Sequence, residues 1–193
     1  MPFTNEPINH MQQAAETVRD KNPYKRGADD GLLMGLLLVG LFMASVYSYI
    51  SPLANLIALV ICLAGVPFLT FALLRRSFVK DRYLTLFSSL WMQGIVMFFC
   101  GTLILAGWTY VYLRFINPTF IVDMLNHVAA TYSLTGTPAG QQIADTIETM
   151  IRQNLIPSSI SLAVETIWIG VFTGSLLSAV MAAVVRMKIW RNN

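Results

Sequence analysis

Histidine and cysteine are nearly missing from this chain, with two of each in 193 residues. Cys62 and Cys100 both lie inside hydrophobic stretches, where a thiol behaves as a small apolar group, and they form no metal-ligand spacing. No HExxH, GxSxG or phosphate-loop pattern occurs, and no apolar stretch pairs aspartates or sets a serine with a histidine. These absences argue against hydrolytic, metal-dependent and nucleotide-dependent catalysis, so the expectation is a non-enzymatic protein without a cofactor. Charge is scarce as well. Only 12% of residues are charged against 55% hydrophobic, which is too apolar for an ordinary soluble domain. The composition is that of a polytopic membrane protein, and nothing in it suggests nucleic-acid binding.

The scarce charges are also unevenly placed. Tyr83 to Leu113 is uncharged for thirty-one residues, between Arg82 and Arg114. As a helix this run would extend roughly 46 Å, more than the ~30 Å hydrocarbon core of a bilayer. Trp108, Tyr110 and Tyr112 near its end suit the headgroup level. Gly31 to Leu74 is uncharged for forty-four residues, enough for two spans. Ser51-Pro52 reads as the turn between them, with Ser as cap and Pro in the first turn of the next helix. Tyr47 and Tyr49 mark that shared end. Thr166 to Val185 is a further uncharged run of membrane-spanning length.

The chain is therefore expected to be all-α, with four transmembrane helices at about 31–50, 52–74, 84–113 and 163–185. These form one transmembrane domain over 31–188, between a soluble lead at 1–30 and a short tail at 189–193. The lead has no apolar core of a cleavable signal, so the first span should direct insertion. Within the lead, Asn9 to Arg19 suggests a short helix that Asn22-Pro23 breaks.

Eleven of the thirteen Lys and Arg fall in the lead, in the stretch Arg75 to Arg82, or from Arg186 to the end of the sequence. Four spans put these three regions on one side, which the positive-inside rule makes cytoplasmic. Both termini are expected inside. Only Arg114 and Arg152 fall on the other side.

That far side holds 117–157. Asn117-Pro118 reads as a helix start. Phe120, Ile121, Met124, Leu125, Val128 and Tyr132 follow at helical spacing up to Gly136. A second helix, entered through Thr137-Pro138, sets Ile143, Ile147, Met150, Ile151 and Leu155 against Asp145, Glu148, Thr149 and Arg152. The two predict an extracytoplasmic amphipathic hairpin whose apolar faces meet each other, the lipid surface, or a partner.

Gly170, Gly174, Ser178 and Ala182 recur every four residues on the last span, and Gly27, Gly31 and Gly35 do so at the first. Such stripes let helices approach closely in lipid, within the bundle or in a homo-oligomer. Gly94 and Gly101 should serve the third span similarly. The polar candidates are Gln93 and Asn55, expected to hydrogen-bond between helices, and Arg114 with Glu165, expected near the outer boundary and able to pair if their helices are neighbours. Asp123 with His127, and Asp145 with Glu148, would form a metal site only if the polar faces of the hairpin met; the expected metal set is none.

The run Tyr110-Val111-Tyr112-Leu113-Arg114-Phe115-Ile116-Asn117-Pro118-Thr119-Phe120, the amphipathic pair after it, and a glycine-rich final span ending in Arg186-Met187-Lys188 resemble the bacterial family known as domain of unknown function 4199 (DUF4199). The resemblance runs from about Gly27 to Lys188. It implies a four-span inner-membrane protein with an extracytoplasmic helical insertion, and it transfers no catalytic residue. The functional expectation is a membrane scaffold or interaction protein, in contact with the bilayer and with an extracytoplasmic partner or a second copy. The alternative is a subunit of a small oligomeric transporter or channel, with Gln93, Arg114 and Glu165 as its polar features.

Overall fold

A computed structural model describes residues 22–48, 56, 57, 59–81 and 85–190. The described chain is all helical: α1 Pro23–Ser48, α2 Val66–Lys80, α3 Phe87–Val111, α4 Phe120–Leu134, α5 Pro138–Arg152 and α6 Ser159–Trp190. Four helical stretches are long and apolar enough to cross a membrane: Pro23–Tyr47, Ile61–Lys80, Phe87–Ile116 and Ser159–Met187. They are called spans 1 to 4 below.

Several boundaries differ from expectation. Asn22-Pro23 starts a helix. The Tyr24 backbone N–H donates to Asn22 Oδ1 at 3.0 Å, so Asn22 satisfies an orphan donor of the first turn and Pro23 occupies a position where its missing N–H costs nothing. Lys25, Arg26, Asp29 and Asp30 thus belong to α1. Span 2 also runs further than expected, through Arg75 and Arg76 to Lys80. It stops at Asp81, whose backbone N–H still reaches Ser77 O at 3.1 Å. Ser158 caps α6, its Oγ accepting from Ser161 N at 3.3 Å, ahead of the expected start at 163. The short helix read at Asn9–Arg19, the turn at Ser51-Pro52, Tyr49 and Asn55 lie outside the described residues.

Two π turns have local causes. Ile61–Gly65 leads into α2 just where Pro67 stands. Proline has no N–H for the carbonyl four residues back, and its ring clashes with that carbonyl, so the helix widens there. Tyr112–Ile116 closes on Asn117, whose N–H reaches Tyr112 O at 2.8 Å. Asn117 itself is extended (φ −141°, ψ 83°), the conformation that Pro118 imposes on the residue before it. Helix α4 accordingly begins at Phe120 with Thr119 as its cap residue, two residues after the expected start at Asn117-Pro118.

The described residues fall into two compact units, one ending at Leu105 and resuming at Ile167, the other Ala106–Thr166. In the first, the helix of span 3 is touched by the other three. On one side, a Cβ added at Gly27 would meet Gln93 O at 2.7 Å, one at Gly31 would meet Cys100 Cβ at 2.6 Å, and one at Gly35 would meet Ile104 Cδ1 at 2.7 Å. The partners rise together along both helices, so spans 1 and 3 run parallel. On another side the order reverses. A Cβ at Gly94 would meet Ser178 Cβ at 2.3 Å, one at Gly174 would meet Phe98 Cγ at 2.2 Å, and one at Gly170 would meet Thr102 Cγ2 at 2.2 Å. Spans 3 and 4 are antiparallel, and the stripe Gly170, Gly174, Ser178 lies on Thr102, Phe98 and Gly94. Ala182 extends it into a cluster with Leu74, Phe78, Leu90 and Val185. A second cluster joins Met34, Leu73, Met97 and Phe98.

The polarity of this unit is reversed from that of a protein in water. Thr70, Ser77, Gln93, Thr102 and Ser178 are buried. Leu36, Phe68, Phe99, Trp168 and Phe172 point outward, the last two 75% and 70% exposed. Buried hydroxyls bond carbonyls of their own helix, Thr70 to Val66 O and Thr102 to Phe98 O, each at 2.8 Å. A lipid solvent rewards this arrangement, since apolar side chains outside cost nothing there and every inward polar group must find its own partner.

In the second unit α4 and α5 pack through Ala129, Ala144 and Ile147, with Leu125, Val128 and Ile151 around them. The turn between them uses Gly136 at φ 65°, and Thr137 accepts from Gly140 N at 3.1 Å. The expected face of large residues is only partly the buried one. Small residues let the helices approach, so Met124, Tyr132 and Ile143 remain outside the contact, and Leu134 is 87% exposed.

Candidate functional site

The densest polar cluster in the described structure lies where spans 1, 2 and 3 meet. Gln93, on span 3, is 2% exposed. Its Nε2 donates to Asp30 Oδ2 of span 1 at 2.8 Å and to Ser77 Oγ of span 2 at 2.7 Å. The missing side chain at Gly27 makes this reach possible. The α1 backbone lies against the Gln93 carbonyl there, and one turn later the short Asp30 side chain comes within hydrogen-bond distance. One amide thereby ties three helices.

Beside it stands an ion pair. Arg26 donates through Nη1 to Asp81 Oδ2 at 2.7 Å and through Nη2 to Asp81 Oδ1 at 2.9 Å. The side chains are only 14% and 13% exposed. Thr85 Oγ1 adds a third bond to Asp81 Oδ2, at 2.8 Å. A two-pronged guanidinium–carboxylate contact fixes angle as well as distance. It fastens the start of α1 to the residue that ends α2, next to the entrance of α3.

Chemically this cluster holds and positions. Among the described residues no buried side-chain nitrogen or oxygen lacks a partner, so the network is satisfied. No three or more His, Cys, Asp or Glu among them gather as a metal would require.

The family described as Protein of unknown function (DUF4199) matches residues 29–187. The chain belongs to DUF4199. The comparisons with curated proteins and with solved structures give no match. Within this DUF4199 chain the matched region takes in Asp30, Ser77, Asp81, Thr85 and Gln93, while Arg26 precedes it.

The other candidate residues are placed as follows. Arg114 and Glu165 are both exposed, and neither takes part in the ion pairs Arg26–Asp81 and Glu148–Arg152. Asp123 accepts from Thr119 Oγ1 at 2.9 Å at the head of α4. Glu148 takes Arg152 at 3.3 Å on the open face of α5. Asp123, His127, Asp145 and Glu148 form no metal-sized group. Asn117 and Pro118 shape the turn into α4, where Tyr112 packs edge-on against Phe120 with ring centroids 5.7 Å apart.

Of the cluster, the sequence pointed to Gln93 and to Gly27 but not to Arg26, Asp30, Ser77, Asp81 or Thr85. One signal could have found two of them. A helix starting at Asn22-Pro23 puts Arg26 and Asp30 one turn apart, beside the Gly27–Gly31 stripe.

Proposed function

We propose that this DUF4199 chain is a non-enzymatic, multi-pass protein of the bacterial cytoplasmic membrane, with both termini inside and α4–α5 outside as an interaction hairpin. The segregation of Lys and Arg supports the orientation, since eleven of thirteen stand in regions that four spans gather on one side. The outward apolar and inward polar side chains of the spans support insertion in lipid.

The observation that carries the interaction role is the unequal use of apolar surface in the helix pair. Its own contact buries Ala129, Ala144 and Ile147, while Met124, Tyr132, Leu134 and Ile143 stay exposed. Apolar residues kept outside a small helical contact serve a second contact, with a partner protein, a second copy, or the membrane surface. The test is cross-linking in intact membranes from photoreactive residues placed at Met124, Tyr132 and Ile143, against the charged face at Asp145. A discrete cross-linked product from the apolar positions supports the role. Identical patterns from both faces would remove it.

The second reading, a subunit of a small oligomeric transporter or channel, rests on Gln93, Asp30 and Ser77 meeting between three spans. Arg114 and Glu165 would be its outer polar features. Conductance or uptake that appears with the reconstituted protein and is lost in Gln93→Leu would favour it. Currents unchanged by both Gln93→Leu and Glu165→Gln would remove it.

A further inference from the structure

We infer that the span unit carries a site for one anionic phospholipid in the groove between the start of α3 and the end of α6, with the lipid phosphate on Arg186 and an acyl chain against Phe87, Ala183 and Met187. The groove has a volume of about 420 Å³ and, among the described residues, is lined by Phe87, Ala183, Arg186 and Met187. Three of these four are apolar, and the fourth is a cation. Ala183, Arg186 and Met187 fall at spacings of three and four, so one face of α6 supplies the floor. Phe87 forms the opposite wall. It is held by Trp91, whose ring stacks on it at 6.3 Å and whose indole N–H donates to Ser175 O of α6 at 3.1 Å.

The charge argues for the occupant. Arg186 is exposed, and neither ion pair among the described residues engages it. It directly follows Val185, which is buried in one cluster with Leu74. Leu74 is directly followed by Arg75 and Arg76, so the backbones carrying these three cations stand at about one level of the unit. Positive charge at one level of an apolar helical unit matches a leaflet of phosphate groups, and a groove beside Arg186 takes an acyl chain that stays continuous with the bilayer. A free anion would use the charge and leave the apolar walls unexplained. A neutral lipid would use the walls and leave Arg186 unexplained.

The inference rests on the membrane reading above, and the test separates the two. The full chain is purified in neutral detergent and titrated with phosphatidylglycerol or phosphatidylcholine, with bound lipid counted by native mass spectrometry. Wild type is expected to prefer the anionic lipid by about fivefold, the scale of one interfacial charge. Arg186→Gln should abolish the preference, Arg186→Lys should restore it, and Arg75→Gln should keep most of it. Ala183→Phe, which fills the groove, should lower retention of both lipids. Equal retention by wild type and Arg186→Gln would overturn the site, as would an unaffected Ala183→Phe. A chain that stays with the membrane fraction while Arg186→Gln behaves as wild type ends the lipid site alone; one that leaves that fraction ends both readings.

Discussion

Gln93 and Asp30, sixty-three positions apart in sequence, are joined by a 2.8 Å hydrogen bond from the buried amide to the carboxylate. The same nitrogen serves Ser77. Gln93→Met keeps the bulk and removes the donor, so spans 1 and 2 lose their shared tie. Unfolding in mixed micelles should show a loss of about 1–2 kcal/mol, the scale of interhelical hydrogen bonds in model membrane systems. Gln93→Met combined with Ser77→Ala should cost less than the sum of the two single changes. Strict additivity would mean that the Gln93–Ser77 bond contributes nothing.

The Arg26–Asp81 contact depends on geometry as well as charge. Arg26→Lys keeps the cation and loses the fork, so it should weaken the clamp measurably, while Asp81→Ala should cost about 1–3 kcal/mol. Exchanging the two residues, Arg26→Asp with Asp81→Arg, should recover part of that loss. If the exchange were no more stable than Asp81→Ala, charge pairing would not be what joins α1 to the end of α2.

Glycine substitutions should divide by location. A methyl at Gly31 would stand 2.6 Å from Cys100 Cβ and 2.9 Å from the Met97 carbonyl, and one at Gly174 would stand 2.2 Å from Phe98 Cγ. Neither neighbour can withdraw without moving a helix, so Gly31→Ala and Gly174→Ala should each cost roughly 1–3 kcal/mol. A methyl at Gly40 meets nothing within 4 Å. Gly40→Ala should be neutral or stabilising by up to about 1 kcal/mol. Comparable losses at all three positions would show that helix contact is not what these glycines serve.

In the second unit, Thr137 caps α5 through Gly140 N, so Thr137→Ala should lower stability by about 1 kcal/mol. Glu148→Gln should change it by less than about 0.5 kcal/mol, because the Glu148–Arg152 pair is 56% and 81% exposed and solvent screens it. Thermal melting followed by circular dichroism distinguishes the two.

What could be read from the chain alone follows the range of the interaction involved. Gly170, Gly174 and Ser178 show their period directly, and their neighbour had to be another helix because lipid gives no reason for a small stripe. Thr137-Pro138 is likewise local, and its cap lies where the spacing put it. Asn22-Pro23 carries the same start signal but is followed by Lys25, Arg26, Asp29 and Asp30, whose charge suggested a solvated lead. Arg26 and Asp30 find their partners in Asp81 and Gln93, which are remote in sequence. In α4 the spacing showed an apolar face but left open what covers each residue of it: Ala129 and Ala144 set the helix separation, and Met124 and Tyr132 stay outside that contact.

The orientation behind the proposed function is tested most directly by labelling intact cells with a membrane-impermeant thiol reagent. Single cysteines at Asp145 and Arg75, both exposed, are introduced in a background with Cys62 and Cys100 replaced. The account predicts labelling at position 145 and protection at position 75 until the membrane is opened. Labelling at 75 with protection at 145 would contradict it and place α4–α5 inside the cell.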